Sequence, residues 1–153
     1  MMKVIITADH AGTTIRNEVK QLLDEMAIQY EDAGCSCEHS VDFPDYALPA
    51  AERVASGEFD RGIFICGTGI GMSIAANKVK GIRGALVSDV FSAKLTRQHN
   101  DSNVLAMGER VIGPGLAREI VKTWLETEFD GGRHETRIGK VTAYENNETS
   151  KAR

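Results

Sequence analysis

Residues 62–77 read GIFICGTGIGMSIAAN, and this stretch decides the fold. Gly62 to Cys66 is a short apolar run with β-branched and aromatic members, suited to a strand buried on both faces. Glycines at 67, 69 and 71 then break the run, and the residues after Gly71 return to small and apolar helix formers. Strand, tight turn and helix in that order form half of a β-α-β unit. The same grammar recurs on either side. Val4 to Ala8, Ile28 to Glu31, Gly84 to Ser88 and Val104 to Met107 are equally short apolar runs, giving five expected strands. Ile15, Val19, Leu22, Leu23 and Met26 recur at helical spacing, as do Ala47, Leu48, Ala51, Val54 and Ala55. Leu116, Ile120, Val121, Trp124 and Leu125 mark a further helix begun near Pro114, with Trp124 as a packing residue. Shorter helices are expected after Gly71 and after Asp89, whose carboxylate can cap free N–H groups. Strands alternating with helices predict an α/β fold built on a parallel sheet.

A chain of 153 residues fits one domain, expected here over 1–144, with the polar, aperiodic 145–153 as a frayed tail. Eighteen basic residues against 22 acidic ones leave a net charge of −4, and only 6% of residues are aromatic, which argues against a nucleic-acid partner. An anionic substrate would instead be held by a few locally placed cations and backbone N–H groups. No stretch approaches the 18 or so apolar residues of a membrane span, and the apolar run before Asp9 is too short for the core of an export signal. The three cysteines, Cys35, Cys37 and Cys66, are an odd set that cannot make a disulfide framework. A cytoplasmic, reducing location is expected.

In open parallel sheets, ligands bind beyond the carboxyl ends of the strands. Asp9-His10-Ala11-Gly12 follows the first strand, Cys66 to Gly71 the third, Ser88-Asp89 the fourth and Gly108-Glu109-Arg110 the fifth. Together with Arg97-Gln98-His99-Asn100-Asp101, just before the fifth strand, these segments are expected to converge on one site. Gly67, Thr68, Gly69, Ile70 and Gly71 would expose N–H groups at the positive end of a helix dipole, an anion cradle. The spacing is G-x-G-x-G, not the G-x-G-x-x-G of dinucleotide binding, and a plain strand-to-helix turn explains the glycines alone equally well. Cys66 tips the balance: a thiol beside a helix start suits a nucleophile or a proton-abstracting base, against the alternative of a buried structural cysteine. His99 lies in the polar run RQHND, off any apolar face, and a histidine exchanges protons near neutrality. Asp9 and His10 read as a capping turn or as functional groups. Arg133, His134 and Arg137 read as a solvated basic patch or, given Gly131 and Gly132, as a shaped loop whose arginines match phosphate. Cys35-Ser36-Cys37 with His39 falls short of a zinc pattern, so no metal is expected and both cysteines read as incidental loop residues.

Five ordered motifs, DHAG at Asp9, DFPDYA at Asp42, CGTGIGMSIAANKVKGIRGA at Cys66, RQHNDSNVLAMGERVIG at Arg97 and GGRHETR at Gly131, carry a resemblance. Over nearly its whole length the sequence resembles type B ribose-5-phosphate isomerases and galactose-6-phosphate isomerase subunits. The resemblance implies a Rossmann-like three-layer α/β/α sandwich and a homodimer or homotetramer with active sites at the subunit interface. It implies a sugar-phosphate substrate, isomerised between aldose and ketose without cofactor or metal. Cys66 would move the proton between C2 and C1 through an enediolate held by the Gly67 to Gly71 backbone. His99 would open the furanose ring, with Thr68 and Asp9 assisting. His10, Arg133 and Arg137 would bind phosphate, and Asn100 and Arg110 would make the remaining contacts. A subclass of the family lacks the cysteine and carries a glutamate in the glycine-rich loop, where this chain has Met72. Allose 6-phosphate and galactose 6-phosphate are the rival substrates. A phosphate or nucleotide sensor using the turn without catalysis is the alternative from another class; Cys66 and His99 argue against it.

Overall fold

The computed structural model describes residues 1–36 and 38–148. Five strands, β1 (Lys3–Ala8), β2 (Gln29–Asp32), β3 (Arg61–Cys66), β4 (Gly84–Leu86) and β5 (Val104–Gly108), form one sheet. Every pairing is parallel, in the order β2-β1-β3-β5-β4. All five stand within two residues of their expected places. The helices are α1 (Thr13–Glu25), α2 (Pro44–Ala55), α3 (Ile70–Asn77), α4 (Val90–Asn100), α5 (Pro114–Glu126) and α6 (Arg133–Glu145).

Alternation along the strands sorts the core into two halves. Val4, Ile6, Ala8, Ile63, Ile65, Leu105 and Met107 face α1, α4 and α5, where Val19, Leu23, Ala93, Ile120 and Trp124 complete one cluster. Ile5, Phe64, Cys66, Val104 and Ala106 face α2 and α3, meeting Ala47, Ala51, Val54, Met72 and Ala76. The sandwich therefore has three layers. Right-handed crossovers explain which helix lies where: leftward steps (β1 to β2, β4 to β5) put α1 and α4 on one face, and rightward steps (β2 to β3, β3 to β4) put α2 and α3 on the other. Each fully buried Ile or Leu contributes about 1.5–3 kcal/mol. Trp124 is a packing residue as expected, wholly buried, with its Nε1 donating to Ser102 Oγ at 2.9 Å.

Three expectations need correction. Residues 133–145 form helix α6, not a loop, although the left-handed Gly131 (φ 65°) and Gly132 (φ 57°) do shape the turn that starts it. His99 and Asn100, read only as part of a polar run before the fifth strand, are the last two residues of α4. The tail expected from residue 145 begins with the end of α6 and a short turn; residues 149–153, like Cys37, lie outside the described residues. Cys35 is buried, and its carbonyl accepts from Arg16 Nη1 at 2.6 Å.

Candidate active site

The sheet reverses its winding between β1 and β3, and the carboxyl ends of those two strands open a cleft of about 260 Å3. Asp9, His10 and Ala11 line it from β1, Cys66, Gly67, Thr68 and Gly71 from β3 and α3, and Arg110 from the end of β5; Phe43 completes the wall. Cys66 is the last residue of β3, with its side chain on the α2–α3 face at 6% exposure. Its Sγ accepts the N–H of Gly69 at 3.1 Å. That bond requires Gly69 at φ 79°, where a Cβ would fall 2.6 Å from Leu86 Cδ1 and 2.8 Å from the Met107 carbonyl carbon. Only glycine fits there.

The first bond within α3 runs from Ser73 N–H to Gly69 O, and the Ile70 N–H turns to Thr68 Oγ1 at 3.3 Å. The Gly71 and Met72 N–H groups are then the orphans of the first turn, and the helix dipole adds to their pull on negative charge. The other walls are fixed by neighbours. Asp9, buried, accepts the Ala11 N–H at 2.9 Å. His10 Nδ1 accepts the Val41 N–H at 3.1 Å, so its Nε2 is the nitrogen left to donate. Arg110 donates its N–H to Gly67 O at 3.0 Å, and its guanidinium lies against the bare α-carbon of Gly67. Beside it, Glu109 Oε1 caps α1 by accepting the Ile15 N–H at 2.8 Å, tying the two strand ends together.

His99, Asn100, Arg133 and Arg137 do not join this cleft within one chain. α4 runs back against the strand direction, so its last residues reach the amino edge of the sheet, next to the start of β5. Cys66 pairs with Gly108 at the far end of β5, four residues or about 13 Å from Val104. Arg97 is not a site residue but a buried strut: its Nη1 donates to Asp101 Oδ1 at 2.9 Å and to Ser102 O at 2.5 Å, holding the left-handed turn that ends α4.

At that edge a second group forms. The His99 and His134 rings stack at 4.2 Å between centroids and 9° between planes. Asp130 stands close by, one ligand-type atom from each of the three lying within 4.8 Å of the others. As placed, these rings cannot share a metal ion, because in-plane lone pairs of near-parallel imidazoles run side by side and do not converge. Exposed Arg133 and Arg137 project from the same first turns of α6. Sequence reading assigns no individual role to Phe43 or Glu109 and does not pair His99 with His134, although all four lie inside the quoted motifs.

Comparison with known proteins agrees with this frame. The family model described as Ribose/Galactose Isomerase matches residues 4–141. The chain is 71% identical to YwlF of Bacillus subtilis (strain 168) over 145 residues, covering 94% of this chain and 97% of that protein. It is 47% identical to ribose-5-phosphate isomerase B of Escherichia coli (strain K12), covering 95% and 97%. It is also 40% identical to D-erythrulose-4-phosphate isomerase of Pectobacterium atrosepticum, covering 97% and 98%. Among solved structures, ribose-5-phosphate isomerase B of Clostridium thermocellum superposes with a TM-score of 0.93 at 51% identity, covering 95% of this chain and 99% of that one.

Proposed function

The chain belongs to the ribose/galactose isomerase family and is an aldose–ketose isomerase, and on that premise we propose that it interconverts ribose 5-phosphate and ribulose 5-phosphate with Cys66 as the base. One observation carries the reading: the Cys66 sulfur sits in the cleft at the start of α3 with a backbone N–H aimed at it. Such donors stabilise charge on the sulfur and on an oxyanion beside it.

The steps follow from those positions. His99, assisted by Thr68 and Asp9, takes the proton from the anomeric hydroxyl, and the ring oxygen gains one as the C1–O4 bond breaks. That leaves an aldehyde at C1 and a hydroxyl at C4. Cys66 then removes the C2 proton; the C–H electron pair becomes the C1–C2 double bond and the charge settles on O1, facing the Gly71 and Met72 N–H groups. The sulfur returns the proton to C1, the O2 proton passes to O1, and the ketose results. His10, Arg133 and Arg137 hold the phosphate, while Asn100 and Arg110 hold the chain hydroxyls.

This reading draws His99, Asn100, Arg133 and Arg137 from a second copy of the chain in a homodimer or a larger assembly. Two features support it. The two half-sites stand at opposite edges of one sheet, and the cleft rim carries exposed apolar side chains, Ile70 at 50%, Ile74 at 56%, Leu86 at 45% and Phe91 at 71%, which a second copy would cover.

The deciding assay offers ribose 5-phosphate, erythrulose 4-phosphate, allose 6-phosphate and galactose 6-phosphate to the purified protein with EDTA present. The pentose phosphate is expected to turn over with kcat/KM above about 10⁴ M⁻¹s⁻¹, within the working range of enzymes. Turnover of another sugar alone would keep the chemistry and replace the substrate. Arg137→Ala is expected to raise KM for ribose 5-phosphate about tenfold or more at nearly constant kcat, since a charge-assisted phosphate contact serves ground and transition states alike. Unchanged KM in steady-state kinetics would return Arg137 to the solvated surface.

A further inference from the structure

His99 does not stand alone. It ends α4, while His134 begins α6, and the two helices meet through these rings, near-parallel at 4.2 Å. His134 is 8% exposed, the sole buried residue of α6, so the contact is this helix's deepest point of attachment. The linking segment is tied to α4 as well, because the Asp130 N–H donates to Gln98 O at 3.1 Å. Stacking at this separation and angle favours the near-parallel arrangement and so opposes tilting of either ring. A group that must pass a proton between two oxygens of one substrate needs its ring plane held while its edge nitrogens stay accessible.

We propose that His134 is a positioning residue for ring opening, a stacking platform that fixes the plane of the His99 imidazole without touching the substrate. This inference rests on the role given to His99 above. The charge around the pair agrees with it. Burial first, and then the neighbouring His99, Arg133 and Arg137, hold the His134 pKa below the usual histidine range, with Asp130 pulling the other way. That lowering favours the uncharged His134 ring, which is the form that offers a plain π face to its neighbour.

The test compares ribose 5-phosphate with 4-deoxyribose 5-phosphate, which lacks the hydroxyl that closes the furanose and so reaches the enzyme already open. His134→Ala is expected to lower kcat on ribose 5-phosphate about tenfold, the order that one aromatic stack is worth, with KM nearly unchanged and turnover of the open-chain analogue retained. His134→Phe keeps a stacking face and is expected to recover to within about threefold of the parent. Retained turnover of the analogue also shows that the variant is folded. Equal losses on both sugars, an effect on KM alone, or a phenylalanine variant no better than alanine would each overturn the proposal. His99→Asn runs alongside. If it loses both sugars equally, the ring-opening role of His99 fails and this inference with it; if it is selective while His134→Ala is not, only the platform is refuted. A parent protein that turns over neither sugar would overturn both.

Discussion

Cys66→Ala is expected to lower kcat on ribose 5-phosphate by about 10³-fold or more, because the variant has no group placed to take the C2 proton and positioned bases contribute about 10²–10⁴-fold. The fold should survive. Cys66 packs at the end of β3 beside small residues of α3, and removing its sulfur costs one buried contact and leaves the Gly69 N–H without its acceptor. An orphaned buried donor costs about 1–3 kcal/mol, which a thermal melt would register as a lowered Tm with cooperativity intact. Cys66→Ser separates the two effects: a hydroxyl accepts from Gly69 and restores the melt, but as a far weaker acid it does not restore turnover. Near-normal kcat in the alanine variant would remove the base from Cys66.

His99→Asn carries the second large effect, a loss of about 10²-fold on ribose 5-phosphate with turnover of 4-deoxyribose 5-phosphate held within about threefold. The asymmetry follows from the chemistry, since only the closed sugar needs its C1–O4 bond broken. Asparagine keeps the polar edge and the helix end but exchanges no proton. Stopped-flow measurement with both sugars reads the difference directly. Parallel losses would instead place His99 in the C2-to-C1 transfer or in holding the site together.

The middle of the sheet was readable in the sequence because β1, β3 and β5 are buried on both faces, so Val4 to Ala8 and Gly62 to Cys66 appear as near-continuous apolar runs. The glycine turn was readable for a related reason: a strand that must turn at once into a helix needs φ above zero, and Gly69 supplies it. Helix α6 was not readable, because RHETRIGKVTAYE rests on α4 through one buried histidine, and its short row of Ile138, Val141 and Tyr144 sits among charged residues and stays largely exposed. α4 hid the extent of its last turn in the same way, its inner face being Ala93, Thr96 and Arg97. Of the five segments expected to converge, Arg97 to Asp101 stands apart from the cleft within one chain, on a point of direction. A helix between parallel strands must run backward, so a residue just before β5 belongs at the opposite edge from one just after β3. The two groups of residues follow from that reversal, and the proposed active site drawn from two chains would reconcile them.

The strand order also sets the sequence of events by which the chain becomes an enzyme. β5 lies between β3 and β4, so β4 has no neighbour to pair with until residues 104–108 exist. A nascent chain emerging from its amino end can close β1 on β3 and shape the glycine turn, but Gly84–Leu86 and α4 must wait, undocked, for the last strand. When β5 arrives it brings the Met107 carbonyl against Gly69, the Glu109 cap for α1 and the Arg110 wall in one stroke. The cleft is thus completed by the final strand to be made.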